Sequence, residues 1–176
     1  MRLPLIPTFA AALAAATLFG GAAHAAPLKA AVFNFELVDS SQEGEMDGVR
    51  ADQTRRLDET TSQVRDALKA AGVELVDPSG ANEQLKDVKA LHDCLKCAQK
   101  AAQTVGADLA VIGHVQKVSN LILNINVQIV DARSGRTVRG GSADIRGNTE
   151  ESWTRGTKYL MKNTILKQPL KADGAP

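Results

Sequence analysis

"ADLAVIGHVQKVSNLILNINVQIVDARSGRTVRGGSADIR", residues 107–146, carries the pattern of three strands and decides the fold. Its opening, "LAVIG", is an unbroken apolar run, as expected of a strand buried on both faces at the centre of a sheet. Residues 121–132 then alternate strictly. Leu121, Leu123, Ile125, Val127 and Ile129 fall on one face, and Asn124, Asn126 and Gln128 on the other. "RSGR" (133–136) is a turn, and "TVRGGSADIR" (137–146) returns as the last strand of a hairpin.

Working back from that core, "LKAAVFNFELVD" (28–39) sets Ala31, Phe33, Phe35 and Leu37 against Asn34 and Glu36, the period of a first strand. Residues 40–52 are polar and glycine-punctuated, and read as a loop. The spacing of Thr54, Leu57, Thr61, Val64 and Leu68 draws one stripe along an amphipathic helix that Gly72 can close. "VELVDP" is a short second strand, and "ANEQLKDVKAL" a short, mostly exposed helix. Asp93 is placed to cap a further helix whose inner stripe, Cys97, Ala98, Ala101, Ala102 and Val105, is small enough to sit close on a sheet. Downstream, Asn148 and Glu151 resemble a capping box opening a last helix with Trp153, Leu160, Met161 and Thr164 inward.

The order β, α, β, α, α, β, β, β, α predicts a single α/β (α+β) domain over residues 27–168. Its mixed sheet has about five strands, ends in the hairpin and is packed by three to four helices. A flexible tail is expected over 169–176. Residues 1–26 read as a cleavable signal peptide: Arg2 gives a basic start, 3–19 is almost wholly apolar, and "GGAAHAAP" supplies small residues at the A-x-A spacing. A membrane anchor is disfavoured by Pro4, Pro7 and the cleavage signal. No cysteine follows the signal to take a lipid, so neither a membrane span nor a lipid anchor is expected after cleavage.

Charge is balanced in total but not along the chain. Residues 27–93 hold 14 acidic and 8 basic side chains, and residues 94–176 hold 6 and 12. Such asymmetry marks either a basic face for an acidic partner or halves that interleave and cancel. Nucleic acid is a poor partner for an exported chain with one Trp and one Tyr, since strand recognition leans on stacking aromatics.

Both cysteines lie in "ALHDCLKCAQKAA" (90–102), and three readings stand. Cys94 and Cys97, three apart at a helix start, can form a disulfide, the default in oxidising surroundings. A thiol redox pair is the second reading, with Asp93 or His92 tuning the thiolate, although no strand precedes it and no aromatic or proline adjoins it. A metal is the third and the poorest in ligands, with only His92 and His114 to add. His114 sits in a strand whose exposed face need not be shared with His92. Haem attachment is excluded because Ala98 follows the second cysteine. "EGEMDG" (43–48) does not meet the calcium-loop signature, and no Walker, G-x-G-x-x-G, G-x-S-x-G or H-E-x-x-H motif occurs. No cofactor and no catalytic residue is therefore expected, and acid–base work would fall to carboxylates that no spacing singles out. The amides of Asn124, Asn126 and Gln128 are either an ordinary solvated face or, if covered by a helix or lining a groove, donors and acceptors for a ligand or an added peptide strand.

The blocks "HVQKVSNLILNINVQIVDARSGRTVRGGSADIRGNTEESWTRGTKYL" (114–160), "DCLKCAQKAAQTVGADLAVIG" (93–113) and "AVFNFELVDSS" (31–41) resemble a proteobacterial family of exported proteins of unknown function. Its members are often encoded beside quinoprotein alcohol dehydrogenases. That resemblance implies a periplasmic accessory role. The "GADLAVIG" layout also looks like the small α/β domains of the Tol-system translocation protein, curli-secretion proteins and lipoprotein activators of penicillin-binding proteins, which bind proteins and catalyse nothing. The expected function is a non-enzymatic, periplasmic protein-binding domain, with a contact surface on Arg133, Arg136, Arg139 and Arg146 of the hairpin and Arg155 and Lys158 of the last helix.

Overall fold

The computed structural model describes residues 26–173, so the signal peptide expected over 1–26 lies almost entirely outside the described residues. Among the described residues six strands form one mixed sheet: β1 (Lys29–Val32), β2 (Glu36–Asp39), β3 (Glu74–Val76), β4 (Leu109–Ser119), β5 (Ile122–Asp131) and β6 (Thr137–Ile145). The order is β3-β1-β4-β5-β6, with β2 beyond β1 on the same edge of β4. β1 pairs in parallel with β3 and β4, β2 in parallel with β4, and β4, β5 and β6 form an antiparallel meander whose second half is the hairpin read from the sequence.

The helices are α1 (Gln42–Asp47), α2 (Ala51–Ala70), α3 (Asn82–Leu85), α4 (Leu95–Thr104) and α5 (Glu150–Leu160), which runs on into a π-helical turn, Met161–Ile165. One face of the sheet buries Leu57, Val64 and Leu68 of α2 with Trp153 and Leu160 of α5 against Val111, Val115, Ile125, Val127 and Ile129. The other packs the alanines of α4 on Ala31, Phe33, Ala110, Ile112 and Val130. Small side chains bring α4 close, as its stripe predicts.

The first strand departs from the expected single run. Val32 pairs with Val111 and Glu36 with His114, so four steps of one chain oppose three of the other and the alternation changes phase at Asn34. Ala31 and Phe33 therefore enter the α4 layer, whereas Phe35 and Leu37 enter the α2/α5 layer. Gly113 receives the Phe35 ring, since a Cβ there would overlap it.

Other local readings shift by a residue. Residues 42–47, expected as loop, make α1 because Ser41 Oγ accepts from Gly44 N and caps the turn. In α2 it is Gln53, not Thr54, that is buried. Cys94, not Asp93, caps α4, its Sγ accepting from Cys97 N. Thr149, not Asn148, caps α5 through Ser152 N. Asn148 instead accepts from the Trp153 indole and Arg56. Residues 169–173, in the stretch expected to be a loose tail, are held. Leu170 and Ala172 pack on the core, Asp173 N donates to Asp131 Oδ2, and Arg139 Nη2 donates to Pro169 O.

Candidate functional site

The sheet sets out four places where chemistry or binding can be sought. The strand order reverses at β1, where α/β sheets leave a crevice beyond the carboxyl ends of their strands. Here it is a cleft of about 750 Å³ between Phe33–Glu36, Arg65 and Lys69 of α2 and the segment from Leu75 to Leu91. Its polar groups are largely satisfied from within. Arg65 Nη2 donates to Val32 O and Asn34 Oδ1, and Asp77 accepts from Ser79 N and Oγ. Glu36 accepts from Leu91 N and His92 N.

Beside this cleft the Cys94–Cys97 disulfide is formed, with Cα atoms 5.1 Å apart. The His92 ring contacts the Glu36 carboxylate and lies 4.4 Å from the His114 ring, so the two imidazoles do share a face. Burial resists the Glu36 charge, but the two backbone N–H bonds and His92 outweigh it and hold its pKa below the usual range. Burial, aided by the charge of His92, pushes the His114 pKa down. No group of three or more His, Cys, Asp or Glu side chains converges for a metal among the described residues. The amides of Asn124, Asn126 and Gln128 stand on the part of this face beyond α4. Asn124 Nδ2 donates to Asp144 Oδ1 at 2.6 Å, Asn126 reaches Asn124 O at 3.4 Å, and Gln128 is exposed.

The six expected contact cations fall into two groups. Arg133 and Arg136 flank the β5–β6 turn, and Arg139 is tied to the tail. The nine residues of β6, roughly 30 Å of strand, separate Arg133 and Arg136 from Arg146, with Arg139 near the start of that strand. Arg146 and Arg155 together line a groove of about 420 Å³ between β6 and α5, with Ser142–Ile145, Gly156 and Tyr159. Arg155 also meets Glu151 at 3.3 Å, an exposed pair that leaves the guanidinium accessible, and Lys158 stands one turn along. β6 pairs only with β5 among the described strands, so its outer edge is open beside this groove.

The fourth place escaped the sequence reading. Lys117 is fully buried, its Nζ 3.0 Å from Asp39 Oδ2 and 2.7 Å from Glu43 Oε2. Burial disfavours its charge, but the carboxylates prevail and its pKa is raised. Burial likewise opposes the Asp39 charge, while Ser41 and Lys117 overcome it and lower that pKa. Arg50 bridges Glu43 to Asp52, Asp52 binds Arg56, and Arg56 reaches Asn148, which is joined to Asn120 of the β4–β5 turn. This network anchors α1 to the sheet end. Around it stand Met46, Val49, Val118, Leu121 and Ile122, five of the six large hydrophobics most exposed to solvent among the described residues; Tyr159 is the sixth. The run Leu121-Ile122-Leu123, one apolar residue too many for a half-buried strand, is the signal that could have found them.

No protein of curated function matches the chain. Among solved structures, the LpoB C-terminal domain from Salmonella enterica superposes with a TM-score of 0.50 at 18% identity, over 71% of this chain and 87% of that one. Lipoprotein GNA1162 from Neisseria meningitidis does so with a TM-score of 0.51 at 18% identity, over 82% and 100%. At such identity these likenesses show the fold alone. The family model described as "Protein of unknown function (DUF2380)" matches residues 28–165, from the residue before β1 to the end of the π-helical turn, and the chain belongs to that family.

Proposed function

We propose that the chain is a non-enzymatic accessory domain of the periplasm that binds a partner protein by strand addition at β6. One observation carries this reading: the open edge of β6 runs beside a groove with Arg146 and Arg155 at its rim and the 63% exposed Tyr159 on its wall. Unpaired N–H and C=O groups of an edge strand recruit an extended segment through main-chain bonds, and the flanking side chains select it. Two arginines favour an acidic segment, and the tyrosine offers a rigid anchor. The family resemblance favours a component of a quinoprotein alcohol dehydrogenase system as that partner, with Cys94–Cys97 serving as a staple.

The test is binding of the purified dehydrogenase component, followed by hydrogen exchange. Added protection confined to residues 142–146 is expected, and the pair Arg146→Glu with Arg155→Glu weakens binding at least about tenfold. Full binding by that variant, or protection appearing elsewhere, removes β6 as the docking edge.

A further inference from the structure

We propose that copies of this chain associate head to tail, the apolar end at the β4–β5 turn of one seating in the basic groove beside the tail of the next. This goes beyond the β6 reading and uses different surfaces. The head is built from α1 and the β4–β5 turn, held together by the contacts of Lys117 and Asn120 with Glu43. Met46, Val118, Leu121 and Ile122 project there at 50–79% exposure. The α1 side of their rim is acidic: Glu45 and Asp47 are exposed and form no ion pair among the described residues, while Arg50 is paired with Glu43 and Asp52, and Arg146 stands on the β6 side, where Ile145 pairs with Leu123.

The tail groove has the complementary character. It has a volume of about 590 Å³ between residues 136–139 and residues 168–173, with Val138, Pro169, Leu170 and Ala172 among its apolar lining. Its rim is basic. Lys171 forms no ion pair among the described residues, and Arg136 is 81% exposed, 3.9 Å from Asp173, the one carboxylate of the lining among the described residues.

Head and groove cannot meet within one molecule, because the ten residues of β5, about 33 Å of strand, run between them. An apolar knob with an acidic rim and an apolar groove with a basic rim, on opposite ends of the same chain, define a heterologous contact, which repeats into a ring or a filament. The uneven charge along the sequence thereby acquires a use between copies. An acidic rim also disfavours the anionic lipid surface that an exposed apolar loop could otherwise enter.

Sedimentation equilibrium of the purified protein tests this through complementation. The wild type is expected to associate reversibly as its concentration rises. A head variant, Met46→Asp with Leu121→Asp, and a groove variant, Arg136→Glu with Lys171→Glu, each run as monomers. Mixed in equal amounts, they form a complex that stops at two chains, since each retains one intact end. All four positions are exposed, and circular dichroism checks the folds. If either variant is unfolded, Leu121→Ser and Arg136→Gln replace them and are expected to weaken association about tenfold each. A wild type that stays monomeric overturns the proposal. So does association lost in the head variant and kept in the groove variant, which means head-to-head pairing. A monomer that co-sediments with phosphatidylglycerol vesicles through Leu121 overturns it as well. Docking at β6 stands or falls separately, on the binding and exchange measurements given for that edge.

Discussion

A lysine with no exposed surface is an expensive residue to keep. Lys117 is tolerated because the parallel register of β2 on β4 sets Asp39 directly beside it, and the first turn of α1 adds Glu43. Each charge is then both paired and hydrogen-bonded, the condition under which a buried ion pair is stable. Removing one member strands the others. Lys117→Met is expected to cost about 3 kcal/mol in denaturant unfolding, and adding Asp39→Asn to recover part of it, since the two act as a coupled unit. A loss near zero, or full additivity, would show the network to be loosely solvated. In the sequence "HVQKV" this lysine falls on the inward phase of Val111 and Val115, where the alternation expects an apolar residue. Its role depends on a strand 78 residues away, which no local pattern announces.

At the scale of elements, the start of α4 rests on a cap and a crosslink made by the same two residues. Cys94 accepts the Cys97 N–H, and the disulfide closes a loop of four residues. A loop so short removes little freedom from the unfolded chain, so Cys94→Ser with Cys97→Ser should lower stability by only about 2 kcal/mol while the partner still binds. Loss of partner-dependent electron exchange in that variant would return the pair to redox work. The hairpin was legible, since strict alternation over Leu123–Ile129 and the glycine turn pair β5 with β6, whereas the register shift between Ile129 and Val130 and the antiparallel pairing of β4 with β5 were not. The break between β1 and β2 was not. Both halves of "AAVFNFEL" alternate correctly, and the change of phase at Asn34 shows only against β4. The arginines were misleading for a related reason. Residues 13 apart in a hairpin look adjacent in sequence, yet an extended strand carries Arg133 and Arg146 to opposite ends.

The whole molecule carries its titrating groups where layers meet, and its stability should follow pH in two steps. Burial opposes the charges of Glu36, Asp39 and Asp131, but their hydrogen bonds win and each pKa lies below its usual value. A depressed carboxyl contributes stability above its unfolded pKa, about 4, and loses it as pH falls through the folded value. His114, with a lowered pKa, stays neutral while the unfolded chain takes up a proton, so stability also declines as pH falls below about 6.5. Denaturant midpoints between about pH 8 and 3 should show the small step first and the steep one after it. His114→Gln should erase the first alone. A midpoint flat through about pH 6 would mean that His114 titrates as freely in the fold as in the open chain.

The single extra residue at Asn34 reaches further than its own position. It sends Phe33 to one side of the sheet and Phe35, Leu37 and Asp39 to the other. Deleting one residue there would turn every later side chain of β2 over. The ring over Gly113 and the anion beside Lys117 would both be withdrawn, and Glu36 would be thrust into oil. Most substitutions along this segment trim a single contact, whereas a change in its length undoes both layers at once. What natural variation must preserve between Val32 and Glu36 is therefore the count of residues, more strictly than their identity.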